Sequence, residues 1–266
     1  MAETSLLAAD DPPPFEIVNP AGASAYLLVC DHASNRLPRS LGSLGLPDAE
    51  LQRHIAWDIG AADVARHLAT ALDAALILQN YSRLAIDCNR PLDAPDSVAT
   101  LSEATEIPGN RNLPPAAIAA RRAGIFAPYH ACIAANLDAR RGANRPTILV
   151  AVHSFTPVFK GVVRPWQVGV LYHRDVRLAR ILLDLFRAEG DLTIGDNKPY
   201  AMDDGGDYTI PTHGEKRSLP HVELEIRQNL IADAAGQSAW ASRLARIFPR
   251  AASPLGAEFS AAQPRR

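Results

Sequence analysis

Two apolar runs in this sequence stop on a histidine, and that shared ending restricts what the chain can become. Tyr26-Leu27-Leu28-Val29-Cys30 empties into Asp31-His32-Ala33-Ser34-Asn35, and Thr147-Ile148-Leu149-Val150-Ala151-Val152 into His153-Ser154. Short runs rich in branched aliphatic residues read as buried strands. In open α/β sheets ligands sit outside the carboxyl ends of the strands, so both imidazoles stand where a site forms. Imidazole is the commonest metal ligand, and a catalytic zinc takes three protein ligands and leaves a position open. His32 and His153 supply two. Asp58, Asp31 and Asn35 are the nearby candidates for the third. The competing reading is that each histidine caps its strand by bonding to backbone.

The rest of the chain alternates between the two periodicities. Residues 15–25 lead into the first strand. From Pro47-Asp48 to about Leu72, apolar residues at Leu51, Ile55, Ile59, Ala62, Ala65 and Leu68 predict one long helix. On it His54 and Asp58 would share a face. A strand follows at Ala75–Leu78, and Leu84–Pro91 is another apolar run that turns polar at its end. Residues 91–115 and 195–213 are long irregular segments of the kind that form functional lids. Helices are expected over 116–141, 175–189 (closed by Gly190) and 238–247, strands over 167–172 and 219–227, and a loop over 156–166. Strands alternating with helices make an α/β protein with a mostly parallel sheet. No repeat or linker divides it, so one domain over 15–250 is expected, with loose tails at 1–14 and 251–266.

Composition removes several classes. Lys and Arg number 27 against 29 Asp and Glu, with no basic run, which argues against a nucleic-acid partner. No apolar stretch reaches the roughly 18 residues of a membrane span, and the N-terminus lacks the positive region of a secretory signal. Cys30, Cys88 and Cys132 form no close pair. Cys30 and Cys132 read as core thiols in a reducing cytoplasm. A monomer or homodimer is expected.

Several polar groups could carry chemistry. Arg90, in Asp87-Cys88-Asn89-Arg90, presents a planar fork that fits a carboxylate or polarises a carbonyl, and Arg83 has the same capacity. In Glu223-Leu224-Glu225-Ile226-Arg227 the two carboxylates share a strand face, and Arg227 can relieve one of them or reach a substrate. A carboxylate beside a metal is the general base of metal-assisted hydrolysis. A solvated edge strand is the plainer reading. Tyr200 and His213 lie in the second long loop, where substrate contacts form. No G-x-S-x-G elbow and no Gly-rich phosphate loop is present.

Six blocks resemble, in order, those of the N-formylglutamate amidohydrolase family. They are Val29–Pro38, His54–Ala61, Ser82–Pro91, Val152–Pro157, Asp196–Tyr200 and Val222–Ile231. The resemblance spans about residues 15–250. It implies a three-layer α/β/α fold with a mixed sheet, similar to the zinc carboxypeptidase and aspartoacylase group, and one zinc or another divalent ion at the strand ends. It further implies His32 as first ligand, His153 as last, Asn89 and Arg90 as the substrate-binding pair and Glu225 as the base. Three residues after His32 stands Asn35, where that group carries a glutamate ligand, and Asp58 is the candidate to replace it. The implied reaction is hydrolysis of an N-acyl amino acid, with N-formyl-L-glutamate first. The alternatives are another N-acyl amino acid, or a non-catalytic carboxylate-binding protein on the same scaffold.

Overall fold

A computed structural model describes residues 5–261. In chain order the strands are β1 (Phe15–Val18), β2 (Tyr26–Cys30), β3 (Ala75–Gln79), the hairpin β4 (Leu101–Ser102) and β5 (Thr105–Glu106), β6 (Ile148–Phe155), the hairpin β7 (Val158–Phe159) and β8 (Val162–Val163), β9 (Val168–Leu171), β10 (Ile194–Asp196) and β11 (His221–Arg227). The helices are α1 (Asp48–Leu51), α2 (Ala61–Leu72), α3 (Pro115–Arg121), α4 (Ala127–Gly142), α5 (Arg177–Glu189) and α6 (Ala234–Ala261). Seven strands pair into one sheet in the order β1-β3-β2-β6-β11-β9-β10. Strands β3, β2, β6 and β11 run parallel, while β1 and β9 are antiparallel to their neighbours β3 and β11.

Both faces of this sheet are covered, which is why its strands read as continuous apolar runs. Tyr26, Leu28 and Cys30 of β2, with Val150 and Val152 of β6 and Val222, Leu224 and Ile226 of β11, pack beneath α2, α5 and α6. The alternate residues Leu27, Val29, Leu149 and Ala151 pack against Tyr129, Ile133 and Leu137 of α4. The result is a three-layer α/β/α protein. Side chains alternate with a period of two, so carrying the second set forward along each strand places Asp31, His153, Glu223 and Glu225 on one side of the sheet. In the parallel pair β6–β11, His153 and Glu225 are direct partners.

Three local expectations are corrected. The helix expected from 48 to 72 is broken, because only α1 and α2 are helical. Between them the Asp58 N–H donates to the His32 carbonyl at 2.9 Å. Gly60 then turns the chain at φ 77°, where an added Cβ would lie 2.1 Å from the Ile231 oxygen. His54 and Asp58 therefore share no helix face. Residues 84–91 form turns instead of a strand. Their backbone is satisfied from outside any sheet: Arg121 donates to the Ala85 carbonyl at 2.9 Å and to Asn110 Oδ1 at 2.6 Å, and Asn110 donates to the Leu84 carbonyl at 2.9 Å. The segment 219–227 is not an edge but a central strand between β6 and β9, so its carboxylates face the interior.

Of the expected tails, residues 1–4 and 262–266 lie outside the described residues. Residues 5–14 pack on the body, with Leu6 buried, Ser40 donating to its carbonyl at 2.7 Å and Tyr81 donating to the Pro12 carbonyl at 2.6 Å. Ala251 and Leu255 of α6 belong to the core. Among the described residues no helix is long and apolar enough to cross a membrane.

Candidate active site

Three separate segments converge at the carboxyl ends of β2 and β6. His32 follows β2, His153 lies near the end of β6, and Asp58 hangs from the His32 carbonyl. All three are buried, and one ligand atom from each lies within 4.8 Å of the others. His153 Nδ1 is 2.8 Å from Asp58 Oδ2, and His32 Nδ1 is 3.4 Å from the same oxygen. The far nitrogens go to carboxylates: His32 Nε2 reaches Asp87 Oδ1 at 2.7 Å, and His153 Nε2 reaches Asp31 Oδ2 at 3.0 Å.

A metal-ligating histidine usually donates its second ring N–H to a carboxylate, which fixes the tautomer and leaves the first nitrogen free to bind. Both imidazoles have that arrangement, and both turn Nδ1 toward Asp58. His32 Nδ1 is buried and makes no hydrogen bond of its own. The donor set of two imidazoles and a carboxylate suits zinc or a similar divalent ion. These residues fit the group that the resemblance implies.

The electrostatics agree with a site built for positive charge. Burial alone would depress His153, but Glu223, Asp31 and Asp58 hold its pKa well above the ordinary histidine value. Burial would raise Asp87, yet Arg83 and His32 hold it well below the usual carboxylate range. Arg83 donates to Asp87 Oδ2 through Nε at 3.0 Å and a terminal N–H at 2.7 Å, and lies 3.8 Å from Asp58 Oδ1. Thr209 donates to Asp31 Oδ1 at 2.7 Å, which completes the chain Thr209–Asp31–His153.

Beside this group stands a pair of glutamates. Glu225 is buried, and its Oε2 has no hydrogen-bond partner. Burial first, then the charge of Asp58, pushes its pKa well above the ordinary glutamate value. Glu223 Oε2 lies 3.9 Å from His153 Nε2, and Asn89 donates to it at 3.1 Å. With His153, the two glutamates form a second cluster of metal-ligand type.

An open cavity of about 420 Å³ lies over these groups and is lined also by Arg83, Asn89, Arg90, Phe159 and Tyr200. The other expected site residues are placed differently. The Asn89 amide is engaged within the protein, accepting from the Tyr208 and Thr209 N–H groups at 3.1 and 3.0 Å as well as donating to Glu223. Asn35 donates to the Leu51 carbonyl at 2.9 Å and does not line the cavity. Asp31 stands behind His153. His213 is buried against His130, 3.1 Å between Nε2 and Nδ1, away from the cavity. Arg227 donates to Asn229 at 2.9 Å and to the Arg164 and Pro165 carbonyls at 3.3 and 3.2 Å, also outside it. Sequence reasoning assigned no part to Thr209 or Asp207, which sit in the second long loop with nothing to distinguish them from other loop polar residues. Asp87 stood next to the Asn-Arg pair, and its link to His32 is visible only once the turn at 81–90 is seen.

The sequence matches the family model described as FGase, N-formylglutamate amidohydrolase, over residues 24–232. The chain belongs to this family. Among solved structures, the gene product Atu2144 of Agrobacterium tumefaciens is similar at 37% identity and a TM-score of 0.91, over 94% of this chain and 99% of that one. An N-formylglutamate amidohydrolase from Ralstonia eutropha JMP134 shares the fold at 16% identity and a TM-score of 0.69, covering 91% of this chain and 98% of that one. No curated protein matches. Membership in the N-formylglutamate amidohydrolase family makes the chain a relative of hydrolases that act on an amide bond, with a small molecule as substrate.

Proposed function

We propose that the protein is a metal-dependent amidohydrolase that removes an acyl group, formyl in the first instance, from the nitrogen of an amino acid. The observation that carries this is the convergence of His32, Asp58 and His153, each imidazole backed by a carboxylate, at the floor of a cavity that also holds Glu225. A divalent ion bound there would lower the pKa of water and polarise the amide carbonyl.

The chain's own groups do the rest. Glu225, whose carboxyl Oε2 has no partner within the protein, takes a proton from the attacking water as the water oxygen adds to the amide carbon. Arg83, held by Asp87 beside the ligand group, meets the negative charge that develops on the carbonyl oxygen. Glu225 then returns the proton to the amide nitrogen as the C–N bond breaks, leaving the carboxylic acid and a free amine. Arg90 grips the carboxylate of the amino acid, and Asn89 fixes the wall behind it. Tyr200, whose hydroxyl accepts from Arg164 at 2.9 Å, shapes the mouth.

N-formyl-L-glutamate, the compound in the family's name, is the reference substrate. The test is formate release from a panel of N-formyl amino acids before and after chelation. The reading expects release that stops on chelation and returns with zinc. Release that survives complete metal removal, or none from any N-formyl amino acid, would refute it.

A further inference from the structure

The cavity has room for one substrate carboxylate and no provision for a second. Among the described residues two guanidiniums line it, and each already has a task, Arg83 at the carbonyl oxygen and Arg90 at the α-carboxylate. Arg83 is bonded to Asp87, and Arg90 donates to Asp96 at 3.0 Å and to the Gly206 carbonyl. The next cation, Arg164, is 7% exposed, and its Cζ lies 4.6 and 4.7 Å from the centroids of the Phe159 and Tyr200 rings, which line the cavity as Arg164 does not. Arg53 is bonded to Glu50 and Glu103 and does not line the cavity, and neither does any lysine.

The acids are in excess. Asp58 belongs to the ligand group, and Asp87 and Asp96 are matched by the two arginines. Glu103 is matched by Arg53, and Asp207, Glu223 and Glu225 remain, all lining the cavity. Glu103 meets His54 at 3.1 Å. Asp207 and Glu223 share the neutral Asn89 amide, at 3.5 and 3.1 Å; Asp207 also accepts from the Asp203 N–H at 3.1 Å, and the nearest charged partners stand at 3.9 Å, Arg90 for Asp207 and His153 for Glu223. Glu225, 5% exposed, adds a buried oxygen with no partner. Burial first, and then the charge of Glu223, pushes Asp207 up to about 7, outweighing the opposing pull of the Asp203 N–H, Arg90 and His153. At the mouth, Leu101, Phe159 and Tyr200 offer apolar surface suited to a methylene stem.

We infer that the amino-acid half of the substrate is basic: an N-acyl derivative whose side chain ends in an ammonium or guanidinium group, with the α-carboxylate as its single anion. This rests on the amidohydrolase reading and narrows it. A side-chain carboxylate would enter a wall of like charge with no further Arg or Lys among the described residues to meet it. A side-chain cation would supply the close charged donor that Asp207 and Glu223 lack, their nearest charged partners standing 3.9 Å away.

The test uses the zinc-loaded full chain and two measurements. The first is kcat/KM for N-formyl-L-lysine, N-formyl-L-arginine, N-formyl-L-glutamine and N-formyl-L-glutamate, the last two differing in charge but hardly in shape. Each basic substrate should exceed the glutamine compound about tenfold, and that should exceed the glutamate compound about tenfold, the effect of one close charge pair at the protein surface. The second is calorimetric binding of the free amino acids, expected in the same order. Parity or reversal between lysine and glutamine, or between glutamine and glutamate, overturns the inference. If no compound is hydrolysed, the amidohydrolase reading fails, and the binding order still decides whether the cavity prefers a basic side chain.

Discussion

Replacing Glu225 with glutamine should slow turnover by at least about 100-fold while leaving the fold at least as stable, and the two effects have opposite causes. Glutamine keeps the shape of the side chain and its place opposite His153 on β11, but it cannot accept a proton. Loss of a positioned general base costs roughly 10²–10⁴ in rate, or about 3–5 kcal/mol of barrier. Stability should move the other way. The Glu225 carboxyl is raised well above its ordinary value of 4.5, by burial first and then by Asp58 and Glu223. A group raised in the folded state binds its proton more tightly there. Its contribution is full below the unfolded pKa and is lost as pH rises through the folded value. Glutamine never ionises and escapes that loss. In metal-free protein the melting temperature of Glu225→Gln should match that of the unmodified chain near about pH 4 and exceed it near about pH 8. The assays are steady-state formate release and thermal unfolding at the two pH values. A kcat/KM within about tenfold of the unmodified chain would refute the general-base role. A rate loss accompanied by a lower melting temperature at both pH values would make Glu225 structural.

Two further expectations concern groups behind the site. Asp31→Asn should leave the protein folded but weaken zinc binding about 10- to 100-fold, the usual effect of losing a carboxylate behind a ligand histidine; a competition titration against a chromophoric chelator reads it, and unchanged affinity would remove Asp31 from that role. The buried pair His130 and His213 gives a pH signature. Burial chiefly pushes their pKa values down, to about 4 and about 3, so between the unfolded value near 6.5 and these values the unfolded chain binds the extra protons. Stability should fall with falling pH across that window, by up to about 1.4 kcal/mol per pH unit for each histidine. A His130→Gln, His213→Gln double variant should show a shallower acid slope in denaturant unfolding, and an equal slope would contradict the assignment.

The parts of this molecule that were legible in the sequence are those where local pattern and tertiary role coincide. The strand that leads to His32 and the strand that carries His153 are buried on both faces, so their composition alone marks them. The helix at 175–189 is amphipathic and closed by Gly190, which takes the left-handed conformation at φ 76°. The sequence misled where the contacts that decide the structure are distant. Apolar residues at 51–59 have helical spacing, yet the bond from Asp58 to the His32 carbonyl and the close approach of Gly60 to Ile231 draw the segment out of helix. The run at 84–91 resembles a strand because it is buried, but what buries it is Arg121 and Asn110 from other segments. The carboxylates behind the histidines were legible as residues and not as partners, since pairing Asp87 with His32 and Asp31 with His153 is a property of the folded turn.

The central claim is that His32, Asp58 and His153 hold one divalent ion. Elemental analysis of the full chain after zinc loading and gel filtration tests it directly. The unmodified protein should carry one zinc per chain, and Asp58→Ala and His153→Ala variants that remain folded should each carry almost none. A chain that holds no zinc, or variants that keep a full equivalent of it, would contradict the account.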